Sequence, residues 1–97
     1  MAFEWDEEKR KANLVKHGVD FRQMPELFEG ATVEAIDSRQ DYGETRINCL
    51  GEVEGAGDEV GGRVYAVVYT WRGANRRIIS ARKANAREQK TYYACVE

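Results

Sequence analysis

The stretch that most limits what this chain can become is Val64-Tyr65-Ala66-Val67-Val68-Tyr69. It is apolar at both phases of a two-residue alternation and rich in β-branched and aromatic side chains. That pattern predicts a central strand, within Arg63–Arg72, covered on both faces. Gly73-Ala74-Asn75 then turns the chain back into a second strand, Arg76–Lys83. Upstream, Ala31–Ser38 and Thr45–Val53 also carry strand patterns, joined by a turn at Asp41-Tyr42-Gly43. The acidic, glycine-rich stretch Glu54–Gly62 reads as a flexible hairpin loop. Consecutive hairpins make the sheet mostly antiparallel.

Helices are expected at both ends. Asp6 is a suitable N-cap for Glu7–His17, because its carboxylate can accept from the free amides of the first turn. Glu7 and Glu8 at its start and Lys16 and His17 at its end suit the helix dipole, and Gly18 supplies a left-handed stop. Its regular apolar residues are Ala12, Leu14 and Val15, a narrow packing stripe. Asp20 opens a second helix, with Gln23 completing a capping box and Met24, Leu27 and Phe28 forming the apolar face. Pro25 falls in its first turn and Gly30 ends it. Asn85 and Glu88 form a further capping box for a last helix reaching about Cys95. With a short strand at Phe3–Trp5, the order is β-α-α-β-β-β-β-α, an α+β layer fold in one domain over residues 1–97.

Several classes are excluded. The longest apolar run is too short to span a bilayer, and the first residues lack a signal peptide's basic and apolar regions, so a cytoplasmic protein is expected. Cys49 and Cys95 have no metal or redox spacing and read as reduced thiols. There is no phosphate-binding glycine loop and no nucleophile elbow, and a single histidine excludes a histidine-based metal site or a two-histidine ribonuclease mechanism. No cofactor is implied.

Charge is unevenly placed. Residues 1–60 hold 7 Lys/Arg against 15 Asp/Glu, whereas residues 61–97 hold 8 against 2. A chain acidic in front and basic behind presents one cationic face unless folding mixes the halves. Strand alternation puts Arg77, Ile79, Ala81 and Lys83 on one side of the last strand and Arg76, Ile78, Ser80 and Arg82 on the other. On the strand before it, Arg72 goes with Thr70 and Val68, and Trp71 with Tyr69 and Tyr65. Arginine forks suit phosphate and aromatic rings suit splayed RNA bases. Tyr65, Tyr69 and Trp71 also read as sheet core, and Arg76 and Arg77 as a solvated hairpin end. Arg82 and Lys83 lie where a strand meets a helix N-terminus, a natural phosphate position. His17 is either a dipole partner or an acid–base group. Glu88 is a capping residue or a catalytic carboxylate, and Tyr92, one turn further on the same helix face, packs or acts.

Taken in order, Phe3-Glu4-Trp5-Asp6, Lys9, Asn13, Lys16-His17-Gly18-Val19 with Phe21, Arg46, Leu50-Gly51, Val67 to Gly73, and Arg77 to Ala84 followed by Glu88 and Tyr92 form a pattern that resembles the BrnT family of bacterial toxins. The resemblance spans nearly the whole chain; the acidic loop Glu54–Gly62 is longer than family members usually carry. It implies a RelE-like fold with a four- to five-stranded antiparallel sheet, two N-terminal helices and one C-terminal helix. It also implies a ribonuclease toxin of a type II toxin–antitoxin system that halts translation. The implied partner is a BrnA-like antitoxin with a ribbon–helix–helix domain, through which alone the complex meets operator DNA; RNA is the implied substrate and no membrane is involved. Metal-independent RNA cleavage uses the 2′-hydroxyl as nucleophile and needs a base, an acid and cations around the phosphorane. Arg46, Arg72 and Arg82 are the expected charge stabilisers. His17 is the first acid–base candidate, with Glu88 or Tyr92 as substitutes, and Lys83, Arg77 and Trp71 are expected substrate contacts. The rival expectation is a non-catalytic module that binds RNA or protein and serves as co-repressor.

Overall fold

The computed structural model describes residues 2–38, 43–54 and 62–96. The expected turn at Asp41-Tyr42 and most of the acidic loop lie outside the described residues. The long apolar strand is central, as its composition predicts. It is β4 (Arg63–Arg72), flanked by β5 (Asn75–Lys83) and β3 (Ile47–Val53), with β1 (Phe3–Glu4) and β2 (Thr32–Ile36) at the edges. β2 to β5 pair antiparallel, and β1 joins β5 in parallel, so the sheet is mixed at one edge only.

The two sides of the sheet are covered unequally. On one side α1 (Glu7–His17) and a 3-10 helix (Phe21–Glu29) pack down, burying Val19, Phe21, Met24 and Leu27 against Cys49, Val67, Tyr69, Ile78 and Ala81. Gly51 permits this closeness: a Cβ there would collide with the Leu27 side chain. On the other side α2 (Ala86–Val96) covers one end only, where Val64, Ala84 and Tyr92 cluster with Val33 and Leu50. Ala66 and Val68, in the same alternation as Val64, are left half-buried. The double cover expected for β4 is therefore complete on one face and partial on the other.

Local chemistry explains the helix ends. The Asp6 carboxylate accepts from the Glu8 and Lys9 amides at 2.9 and 3.1 Å, and Gly18 closes α1 with φ 70°. The second helix winds as a 3-10 helix with Pro25 inside it. There the Asp20 carboxylate turns to the Arg22 amide, at 2.9 Å, while the Gln23 amide takes the Asp20 backbone carbonyl. Arg22 first, then Arg10, holds the Asp20 carboxyl down at about 2. The expected box at Asn85 and Glu88 forms reciprocally, at 2.9 and 2.8 Å.

Two findings correct the sequence reading. First, α1 does not pack through Ala12, Leu14 and Val15, which are exposed; its buried residue is Asn13. Beyond Arg77 the outer edge of β5 has no strand beside it, because β1 pairs only with Arg76 and Arg77. The Asn13 carboxamide fills that place. It donates to the Ala81 and Val19 carbonyls at 2.8 and 2.9 Å and accepts from the Ala81 amide at 3.2 Å. Second, β5 does not alternate simply. The register jumps from Val68–Ser80 to Tyr69–Ile78, leaving Ile79 as an extra residue. Ile78 and Ala81 thus share the covered face, while Ser80 and Arg82 share the open one.

Replacing Asn13 with Ala strands the Ala81 peptide and is expected to lower unfolding free energy by about 2 kcal/mol or more. Asn13→Asp, which turns a carboxylate toward two carbonyls, should cost more. Urea unfolding with an unchanged m-value reads both. A loss under about 0.5 kcal/mol, the scale of an ordinary surface substitution, would remove the claim.

Candidate functional site

The open face has a floor of two rows. Ala35, Asn48, Val68 and Ser80 align across β2, β3, β4 and β5, and beside them run Val33, Leu50, Ala66 and Arg82. With Glu88 and Thr91 of α2 as one wall, these residues line a groove of about 430 Å³. Small side chains at Ala35, Ala66 and Ser80 keep the floor low, and α2 stops short of the rest of the sheet.

Arginines mark the ends of this face. Arg82 is bidentate to Glu88, at 2.7 and 2.8 Å, at the α2 wall. At the opposite end Arg46 and Arg72 converge on Glu44, at 3.5 and 3.2 Å. Arg77 reaches Glu4 at 2.8 Å, and Arg72 also acts on Glu4 through space. Each guanidinium is thus aimed by a carboxylate that leaves part of the fork exposed. Arg72 and Arg82 are exposed and Arg46 and Arg77 half-buried; the exposed pairs add little stability, so their cost of exchange for another anion is low. Arg82 first, and the Asn85 amide after it, hold the Glu88 carboxyl below its usual 4.5 against the opposing effect of burial.

The other expected site residues lie elsewhere. Trp71 is on the covered side, edge-on to Tyr69 at 5.7 Å. Lys83 stands opposite Tyr65, in the alternation of the covered face. His17 ends α1 and is half-buried. Tyr92 is on the α2 side but buried, its hydroxyl donating to the Ala31 carbonyl at 3.0 Å, and burial pushes its pKa up. The structure therefore puts Arg46, Arg72, Arg77, Arg82 and Glu88 on the open side, Arg82 with Glu88 at one end and Arg46 with Arg72 at the other, and places Trp71 and Lys83 in the alternation of the covered side.

No motif in the sequence marks Asn48 or Glu44, and Arg76, beside a turn, reads there as a solvated hairpin end. Arg76 is instead enclosed by aromatic rings: its guanidinium lies 4.5 Å from the Phe28 centroid, 4.7 Å from Trp71 and 5.3 Å from Tyr69. The Tyr69 hydroxyl in turn donates to Glu34, and burial with that carboxylate raises its pKa to about 12. This cation–π stack closes the core at the open end of the sheet. The thiols are both free; Cys49 is buried, which pushes it up to about 12, and Cys95 is exposed.

Fold and face together define a small α+β protein with one side of its sheet given to the core and the other to an arginine-bordered groove. Residues 5–88 match the family described as "Ribonuclease toxin, BrnT, of type II toxin-antitoxin system". The chain belongs to this family of ribonuclease toxins. The crystal structure of the Brucella abortus ribonuclease toxin BrnT is similar, with 26% identity and a TM-score of 0.61 over 88% of this chain and 97% of that one. No curated protein matches the chain. Among the described residues no helix is long and apolar enough to cross a membrane.

The Arg82–Glu88 pair has a titration consequence. Removing the cation in Arg82→Gln should move the Glu88 carboxyl, followed by NMR, back up toward 4.5. Because the folded-state value is depressed, the pair's stabilisation is present above the ordinary carboxylate range and is lost as pH falls through the lowered value. The stability difference between parent and Arg82→Gln should therefore shrink below pH 4.5. An unchanged Glu88 titration in the variant would contradict the pairing.

Proposed function

We propose that this chain is an active, metal-independent endoribonuclease that arrests translation in the cytoplasm. The observation that carries this is the open sheet face bordered by Arg46, Arg72, Arg77 and Arg82, whose forks are held by exchangeable carboxylates. RNA phosphates take the places of Glu44 and Glu88 on these arginines, and the floor admits the nucleotide between them. In the cleavage step the 2′-oxygen attacks the neighbouring phosphorus and the 5′-oxygen leaves; the arginines at the end where that phosphate binds, Arg82 at one or Arg72 with Arg46 at the other, stabilise the charge that develops, and the opposite end holds a phosphate further along the strand.

Acid–base work falls to His17, Glu88 and Tyr92. Glu88 stands in the groove, and it becomes a stronger base once phosphate has drawn Arg82 away, because its depressed pKa rests first on that guanidinium. His17 approaches from the end of α1. Tyr92 would first have to give up the Ala31 carbonyl. Lys83 and Trp71 serve RNA that runs over the sheet edge onto the covered side, and Arg77 holds a flanking phosphate.

The family assigns the chain to a toxin–antitoxin pair. A BrnA-like antitoxin covers the arginine face with acidic side chains, and operator DNA is met only through that complex. One observation favours a second reading, a binding and co-repressor role without catalysis: the groove arginines already have carboxylate partners, so the face can hold a protein's acids as readily as RNA.

Purified protein incubated with ribosome-free RNA in EDTA should cleave it. Arg72→Ala and Arg82→Ala should each lower the rate roughly 10²-fold or more. Cleavage that survives both substitutions would overturn the assignment of these arginines. Binding without cleavage by the parent would favour the co-repressor.

A further inference from the structure

We infer that the groove holds one nucleobase and reads it through the carboxamide of Asn48, so that Asn48 and Ser80 determine where this protein engages RNA; the inference rests on the ribonuclease reading above. Three features of the groove carry it.

The first is position. Asn48 and Ser80 belong to one cross-strand row, separated by Val68, and the adjoining row ends on Arg82. Strands lie roughly 4.8 Å apart, so Asn48 and Ser80 flank Val68 at about 10 Å, which accommodates a flat heterocycle lying on the valine. A phosphate on Arg82 places its own nucleotide over this floor.

The second is unspent bonding capacity. Among the described residues, neither the Asn48 carboxamide nor the Ser80 hydroxyl is used in a hydrogen bond within the protein, although both are half-buried and line the groove. By contrast the other half-buried or buried polar groups nearby are engaged: Thr70 bonds the Thr45 carbonyl, and Tyr92 the Ala31 carbonyl. Their polar atoms reach the solvent of the groove, so a ligand lying there can take up this bonding capacity without breaking a bond inside the protein.

The third is chemistry. A carboxamide offers donor and acceptor side by side, the complement of a base edge with adjacent acceptor and donor atoms. The volume, about 430 Å³, falls in the range of pockets that take small organic ligands and suits a single nucleotide, with no room for a duplex. The lining of alanine and valine supplies the apolar surface on which a base lies. The occupant is RNA on the ribonuclease reading, and the guanidinium of Arg82 in the groove wall offers its phosphate a partner.

The test uses non-cleavable 2′-O-methyl hexanucleotides, identical except for A, C, G or U at one position, moved along the strand. Fluorescence anisotropy with the intact chain should show a preference of roughly tenfold for one base at one position. Asn48→Leu should flatten that preference, and Ser80→Ala should narrow it, while Arg82→Ala weakens all four oligonucleotides together. Circular dichroism checks that each variant is folded, and Ser80→Ala, a minimal change, carries the test if Asn48→Leu does not fold. Equal affinity for all four bases, or an unchanged order of preference in both variants, overturns the inference. Cleavage of unmodified RNA is scored in parallel. Cleavage without dependence on Asn48 or Ser80 sinks this inference alone, whereas base preference through Asn48 without cleavage sinks the ribonuclease reading alone.

Discussion

The arrangement depends on one side chain standing in for a strand. The outer edge of β5 is paired by two residues of β1 and then left open, and the Asn13 carboxamide completes it at Ala81. An amide on a helix can meet a strand's peptide only if the helix lies against that edge, so this contact fixes α1 beside β5 on one side of the sheet. The same carboxamide holds the Val19 carbonyl, at the start of the segment that leads into the 3-10 helix. With both N-terminal helices committed to one side, only α2 remains to cover the other, and it covers one end. The open groove follows from how the first half of the chain is anchored.

The extra residue at Ile79 makes β5 compatible with that division. Regular alternation would put Ile78 on the same side as Arg82, forcing an apolar side chain into water or a guanidinium into the core. The bulge lets Ile78 and Ala81 both enter the covered core, where they are 1% and 0% exposed, and sends Ser80 and Arg82 to the open face. Bulges re-aim side chains in this way at a small local cost in pairing. Charge is divided with the same economy. Glu4 and Glu44 come from the acidic front of the chain, and Arg72 and Arg77 from the basic back. Folding brings the halves together into cross-strand pairs on one face, so the polarity of the sequence becomes an array of oriented, partly neutralised arginines.

Much of this was legible in the residues, for identifiable reasons. β4 declares itself because six consecutive apolar residues fit no other role, and the caps at Asp6, Gly18 and Asn85 work through local chemistry that needs no tertiary partner. The grouping of Arg72 with Thr70 and Val68 follows from the pleat. What could not be read were features set by distant parts of the chain. Nothing local distinguishes Asn13 from a solvated helix residue, since its partner is 68 positions away. Ile79 looks like any β-branched strand residue until the register with β4 exposes it. Arg76 sits beside a turn and reads as solvated, yet Phe28 and Trp71 close over it only after the 3-10 helix has packed. Asn48 carries no motif; its place in a row with Ser80 is a property of strand pairing. Of the expected site, Arg72 reaches the open face by simple alternation, but Arg77 and Arg82 share it only because the bulge at Ile79 shifts the phase, and Glu88 meets Arg82 through the cap of α2, whereas Trp71 and Lys83 follow the alternation of the covered side.

The account rests on the claim that the two sides of one sheet do separate work, one holding the fold and the other meeting RNA. The most direct measurement is an NMR footprint of a non-cleavable 2′-O-methyl RNA on the isotope-labelled chain. The account predicts that shifts concentrate at Asn48, Ala66, Val68, Ser80, Arg82 and Glu88, with the core contacts of Asn13, Cys49 and Ile78 unmoved. Shifts concentrated instead around Lys16, His17 and Leu14 on the outer surface of α1, with the groove silent, would contradict it.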